Sequence, residues 1–241
     1  MSVEPIDIVA IGAHPDDVEL TCGGALVRAA GSGYKTAIID LTKGEMGTRG
    51  TAEKRASEAA KAAEVLGASV RLNAGLPDAG LHNTDDTRKV MVRLLRKLRP
   101  RVVILPFPVG RHPDHRVASE LGRDACFLSK LANYQAEGAP HKVEKVIYAM
   151  SYREDAVKPT FVVDISEWFE TKLRAIACYG SQFEGVITAG ELFPTGQPLL
   201  DLIRTQNRHY GSLIRCGYGE PFVTEETVRV DDIVKMGVES I

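Results

Sequence analysis

Short strand-like runs alternate with helix-like stretches along most of the chain, and this alternation restricts the fold more than any other feature. Val102–Leu105 is the most telling run: it is entirely β-branched residues and leucine, and a strand apolar at every position has both faces covered, as in the centre of a parallel sheet. Ile6–Ile11, Thr36–Leu41 and Val70–Asn73 precede it as strands, and Val143–Ala149 and Thr160–Val163 follow. Between them, helices are expected at about Gly24–Gly31, from a Thr51 cap to Gly67, over Asp85–Leu98 before Pro100, and over Pro113–Leu131. Ser166 reads as the N-cap of a helix ending at Gly180, and Leu199–Ile214 as a last helix. The pattern predicts an α/β fold: a Rossmann-like, doubly wound, mostly parallel sheet with helices on both faces. With no repeat or linker visible, residues 1–241 read as a single domain.

Bulk properties exclude several classes. The 241 residues carry a formal net charge of -2, so nothing draws the whole molecule to nucleic acid or to an acidic membrane. The basic run from Arg88 to Arg101 is interleaved with Val90, Leu94, Leu95 and Leu98 at helical spacing, which makes it the solvated face of an amphipathic helix. Four scattered cysteines fit reduced thiols better than a disulfide framework. Met1–Pro5 does not read as a signal peptide and no apolar stretch has the length of a membrane span. The expectation is a cytoplasmic protein with no membrane or nucleic-acid partner.

Two motifs carry the chemistry. Gly12-Ala13-His14-Pro15-Asp16-Asp17-Val18-Glu19 follows the first strand, and Arg111-His112-Pro113-Asp114-His115 follows the fourth. Either alone reads equally well as helix capping, since Asp, His and Pro all occur at helix starts. In a doubly wound sheet, however, strand order reverses between the first and fourth strands, and ligands bind in the crevice at their carboxyl ends. Acidic residues there would repel a pyrophosphate, so the loops call for a cation. Two histidines and one carboxylate are a common catalytic zinc set that leaves a position for water, and His14, Asp17 and His115 supply it. Asp16 then serves as general base, and His112 faces the oxygen where negative charge develops. Asp114 is expected to hold the His112 ring and favour its protonated form. A non-haem iron oxygenase shares this ligand type but sits on jelly-roll strands, a metallophosphoesterase wants ligands for two ions, and a structural zinc site would use cysteines.

Together, Ala13-His14-Pro15-Asp16-Asp17 and His112-Pro113-Asp114-His115 resemble the LmbE-like zinc N-deacetylases of amino sugars, the PIG-L family. The resemblance extends to the glycine-rich stretch Leu41–Thr51 with Arg55 beyond it, and to Lys172, Ala175 and Tyr179-Gly180-Ser181-Gln182-Phe183. Leu76-Pro77-Asp78-Ala79-Gly80-Leu81 is similar to a segment of the subgroup that removes acetyl from N-acetylglucosaminyl malate in bacillithiol biosynthesis. Pro106-Phe107-Pro108-Val109-Gly110 departs from the aromatic-acidic stretch expected there. The resemblance implies His14, Asp17 and His115 as zinc ligands, Asp16 as base, His112 as oxyanion stabiliser with Asp114 as its partner, and a small amino-sugar substrate. It also implies one Zn²⁺ per subunit, with Fe²⁺ as the alternative in cells, and a homo-oligomer. A malyl group carries two carboxylates, which suit arginine forks, and Arg49, Arg55 and Arg111 stand closest to the motifs.

Overall fold

The computed structural model describes residues 5–150, 157–183 and 198–238; Met1–Glu4, part of the stretch read as lacking a signal peptide, lie outside them. The strands are β1 (Ile8–Gly12), β2 (Thr36–Asp40), β3 (Val70–Asn73), β4 (Val102–Pro106), β5 (Lys145–Ala149), β6 (Phe161–Asp164) and β7 (Gly219–Val223). They form one seven-stranded sheet in the order β3-β2-β1-β4-β5-β7-β6. From β3 to β5 every pairing is parallel, whereas β7 runs antiparallel to both of its neighbours. The expected doubly wound, mostly parallel sheet is therefore present.

Alternation along the central strands divides the core. Val9, Ile11, Ile39, Val103 and Leu105 face helices α3 (Asp85–Leu98) and α4 (Pro113–Leu128), where Met91, Leu95, Leu98 and Leu121 meet them. Ala10, Ile38 and Ile104 point the other way, toward α1 (Asp17–Gly31), α2 (Ala52–Leu66) and α5 (Phe169–Ala177). Each strand thus buries successive side chains in different layers, as the period of two requires. Local signals set the helix ends. Thr51 accepts the Lys54 N–H at 3.2 Å to start α2, and Gly67, at φ 68°, ends it. Thr84 and Thr87 close a reciprocal cap on α3. The remaining helices are the single turn α6 (Gly180–Phe183) and α7 (Leu199–Leu213), which packs on β7.

Three elements differ from the sequence reading. Helix α1 starts at Asp17 rather than Gly24, but it is broken at Cys22 (φ -134°, ψ 15°). Past that break the N–H groups of Gly24 and Ala25 donate to Glu220 Oε1 and Oε2 at 2.8 and 2.6 Å. Gly24 therefore does begin a helix, one capped by a side chain from a distant strand. Ser166 opens a short 3₁₀ turn, Ser166–Trp168, and the α-helix proper is Phe169–Ala177. Strand β7 is absent from the sequence reading because Gly219, Glu220 and Pro221 look like a turn; Pro221 is tolerated because it falls where β5 has run out, beyond the Ala149–Phe222 pair. Among the described residues no helix is long and apolar enough to cross a membrane.

Candidate metal centre

Strands β1 and β4 are direct neighbours, so the loops leaving Gly12 and Pro106 open from one crevice. The chain turns tightly out of β1. A Cβ on Gly12 would stand 3.1 Å from both the Asp17 Cβ and the His14 carbonyl oxygen. Asp16 is held at φ 119°, a conformation that non-glycine residues keep only where surroundings impose it. Arg55 is the constraint: its Nη2 donates to Asp16 Oδ2 at 3.1 Å and to the Pro15 carbonyl at 2.8 Å, and Nη1 donates to the Gly44 carbonyl. Gly44 has to be glycine, because a Cβ there would stand 2.0 Å from Arg55 Nη1.

Asp17 joins the two motifs. Its Oδ2 lies 3.5 Å from His14 Nδ1 and accepts the His14 backbone N–H, while Oδ1 lies 3.1 Å from His115 Nε2. The opposite edge of the His14 ring, Nε2, faces Asp78 Oδ1 at 3.0 Å and Asp114 Oδ2 at 3.4 Å. His112 stands beside both imidazoles, with ring centroids 4.8 Å from His14 and 5.0 Å from His115. The structure thus brings together all six of the expected residues: His14, Asp16, Asp17, His112, Asp114 and His115.

The charges are strongly coupled. Burial alone lowers the affinity of the His14 imidazole for a proton, but Asp17, Asp78 and Asp16 carry its pKa up to about 9. His115 is half-buried, which lowers its pKa, but Asp17 raises it above the usual value. Burial opposes ionisation of Asp17, yet His115 and His14 hold it well below the usual carboxylate range. Burial pushes Asp16 up to about 7 against the pull of Arg55. Burial and the neighbouring His14 and His115 lower His112.

Two expectations need correcting. Asp114 does not grip the His112 ring: its carboxylate accepts the Ala79 N–H at 2.8 Å and reaches toward His14 instead. His112 Nδ1 accepts the Asp114 backbone N–H at 3.2 Å as the N-cap of α4, and its environment favours the neutral ring over the protonated one. Arg55, expected at the substrate, is turned inward and is only 5 % exposed. The Glu58 carboxylate accepts from Ser181 N and Oγ at 2.8 and 2.6 Å. Arg49 and Arg111 are exposed, on the loops that follow β2 and β4.

Sequence reasoning missed Asp78 as a site residue. Beyond facing His14, Asp78 accepts the Met46 N–H at 2.8 Å, and its own N–H donates to Glu45 Oε1 at 3.0 Å. It therefore ties the glycine-rich loop to the histidine. Its place just past the carboxyl end of β3 was the available signal. Also missed was a buried layer below the site, in which Arg71 forks onto Asp40 at 2.7 and 2.8 Å and bonds Glu19, while the Tyr179 hydroxyl donates to Glu19 at 3.0 Å.

Among the described residues, potential ligand atoms within 4.8 Å of one another occur in two sets, His14–His112–His115 and His14–Asp78–Asp114, with Asp17 beside both His14 and His115. Imidazole nitrogens and carboxylate oxygens gathered around the His14 ring are the donor types that suit a divalent transition ion.

The family model for GlcNAc-PI de-N-acetylase, PIG-L, matches residues 9–126, a span holding both motifs. Diacetylchitobiose deacetylase of Thermococcus kodakarensis is 31% identical over 228 residues, covering 88% of this chain and 80% of that protein. The conserved protein TT1542 of Thermus thermophilus superposes with a TM-score of 0.84 at 37% identity, over 94% of this chain and 98% of its own. N,N'-diacetylchitobiose deacetylase of Pyrococcus horikoshii gives 0.76 at 27% identity, over 90% and 82%. With its fold and most of its length in common with these proteins, and with both motifs inside the span the family model matches, the chain belongs to the PIG-L, or LmbE-like, deacetylase family.

Proposed function

We propose that this chain is a zinc-dependent amidohydrolase that removes the acetyl group from an N-acetylglucosaminide. Asp17 carries the reading: its Oδ2 lies 3.5 Å from His14 Nδ1 and its Oδ1 3.1 Å from His115 Nε2, so one carboxylate stands beside both imidazoles. Catalytic zinc sites use that set and keep a position open for water. We assign His14, Asp17 and His115 as the ligands. Asp78 and Asp114 then form the supporting layer, accepting from His14 Nε2–H and fixing its tautomer. A divalent ion bound there, Zn²⁺ or Fe²⁺, supplies Lewis acidity and lowers the pKa of a coordinated water to about 7.

The chain's own groups perform the remaining steps. Asp16, fixed by Arg55, takes the proton from the water that attacks the amide carbon and returns it to the departing nitrogen as the C–N bond breaks. Neutral His112, whose Nδ1 is occupied as an acceptor, offers Nε2–H to the carbonyl oxygen as negative charge develops. The products are acetate and a free amino sugar.

For the aglycone we favour malate, on the resemblance of Leu76–Leu81 and the exposure of Arg49 and Arg111 at the crevice rim. A chitin disaccharide is the second reading, favoured by the relative at 31% identity. Amine release from N-acetylglucosaminyl malate, diacetylchitobiose and N-acetylglucosamine by the zinc-loaded protein separates them. Preference for the malate conjugate by about tenfold or more, equivalent to roughly 1.4 kcal/mol, supports the first reading. Equal rates on all three remove malate, and no release from any removes the hydrolase assignment.

A further inference from the structure

The glycine-rich loop after β2 is held at both ends, by different parts of the molecule. Toward the metal centre, Arg55 Nη1 donates to the Gly44 carbonyl at 3.1 Å, and Asp78 Oδ2 accepts the Met46 N–H at 2.8 Å. Arg55 also holds Asp16 and Asp78 also faces His14, so the first half of the loop is fixed by the site itself. Residues 47–50 are exposed and include Gly47 and Gly50, so this second half has more backbone freedom to lose. Arg49 stands in it.

The anchor for that half comes from the single turn α6. Gln182 Nε2 donates to the Arg49 carbonyl at 2.8 Å and to Ser181 Oγ at 3.1 Å, and Ser181 N and Oγ donate to Glu58 Oε1 and Oε2 at 2.8 and 2.6 Å. Each role is forced. A carbonyl and a carboxylate only accept, so the Ser181 hydroxyl hydrogen goes to Glu58 and its lone pair takes one Gln182 amide hydrogen, leaving the other for Arg49. The inner end of this bracket is rigid, because Glu58 lies on α2 one turn from Arg55 and is 6% exposed. Gly50 lets the parts come so close: at φ 72° a Cβ there would stand 2.8 Å from Ser181 Oγ. For the fold the bracket adds little, since Arg55, Asp78 and the Thr51 cap on Lys54 N already fix the start of the loop and of α2. What it adds is the place of Arg49.

We propose that Gln182 is a positioning residue for substrate recognition: by holding the Arg49 backbone to the Glu58–Ser181 bracket, it sets where the Arg49 guanidinium meets the part of the substrate beyond the acetamido sugar. The forked donors of a guanidinium suit carboxylate or other paired oxygens on that part, and such a contact binds more tightly when its backbone is ordered beforehand. The inference rests on the deacetylase reading and adds to it a source of affinity for the aglycone.

Steady-state amine release by the zinc-loaded full chain tests it, on N-acetylglucosamine and on whichever of N-acetylglucosaminyl malate and diacetylchitobiose the wild type prefers. Gln182→Glu keeps the side chain's shape but turns its donors into acceptors. It and Gln182→Ala are expected to raise KM for the larger substrate about tenfold while kcat stays within about twofold, with KM for N-acetylglucosamine, zinc content and thermal midpoint unchanged. Arg49→Ala should give the same rise, and adding Gln182→Ala to it should raise KM no further, because both act through one group. Hydrogen exchange of residues 44–51 reads the bracket without turnover: it should quicken in Gln182→Ala but not in Arg49→Ala, which keeps the carbonyl. Wild-type KM in the Gln182 variants, additive effects in the double variant, a matching loss of kcat and zinc, or unaltered exchange in Gln182→Ala would overturn the proposal. A wild type that releases no amine from any substrate would remove the deacetylase reading and this inference with it, a failure seen before any variant is compared.

Discussion

Helix α1 has buried charge at both of its beginnings, and the two clusters are built differently. At the break near Cys22, Glu220 and Lys172 are 0% and 1% exposed, and Glu220 accepts from Lys172 Nζ, Gly24 N and Ala25 N. Both carboxylate oxygens have donors, so the cluster is closed and can only hold structure. At Asp17, one turn from Thr21, the carboxylates of Asp16, Asp17, Asp78 and Asp114 crowd two imidazoles on an open crevice. Acid there exceeds what the histidines and Arg55 neutralise, and backbone strain at Asp16 is maintained. A satisfied cluster fixes a helix start; an acid-rich one beside open space is arranged to receive a cation.

Substitutions in the two clusters should therefore have opposite signatures, and activity losses rank the cluster at Asp17. His115→Ala is expected to abolish stoichiometric metal in elemental analysis and to lower kcat by about 10³-fold or more, since a Lewis acid contributes several kcal/mol. Asp16→Asn should keep the metal while kcat drops by about 10²–10⁴-fold, the usual worth of a general base; near-normal turnover would remove Asp16 from that role. Asp78→Asn should weaken metal affinity or activity by about 10–100-fold in a competition titration, as for other groups behind a ligand histidine. Lys172→Met belongs to the other cluster. It should lower unfolding stability in urea by about 3–5 kcal/mol by stranding Glu220, with metal content and turnover of the folded protein unchanged. A large loss of turnover at full folding in Lys172→Met would erase the contrast between the clusters.

The parallel half of the sheet was readable because its information is local. Val102–Leu105 needs no partner to announce a buried strand, and Thr51 and Gly67 mark α2 by their own backbone requirements. That the two His/Asp motifs meet was readable for a related reason: strand order alone places the loops after β1 and β4 together. What escaped depends on contacts between distant residues. β7 looks like a turn until Glu220 is seen paired with Lys172, 48 residues away. Asp114 seemed to belong to His112, its near neighbour, but the loop after β3 supplies the N–H groups of Ala79 and Leu81 that turn its carboxylate toward His14. Arg55 was expected to reach the substrate, and only the Gly44 turn and the Pro15 carbonyl show why it is drawn inward.

The most direct test of the metal assignment is anomalous diffraction at the zinc edge from crystals of the zinc-loaded protein. One strong peak per chain is expected, about 2.0–2.2 Å from His14 Nδ1, an Asp17 oxygen and His115 Nε2. A peak on the other edge of the ring, between His14 Nε2, Asp78 and Asp114, or none near either edge, would contradict that assignment.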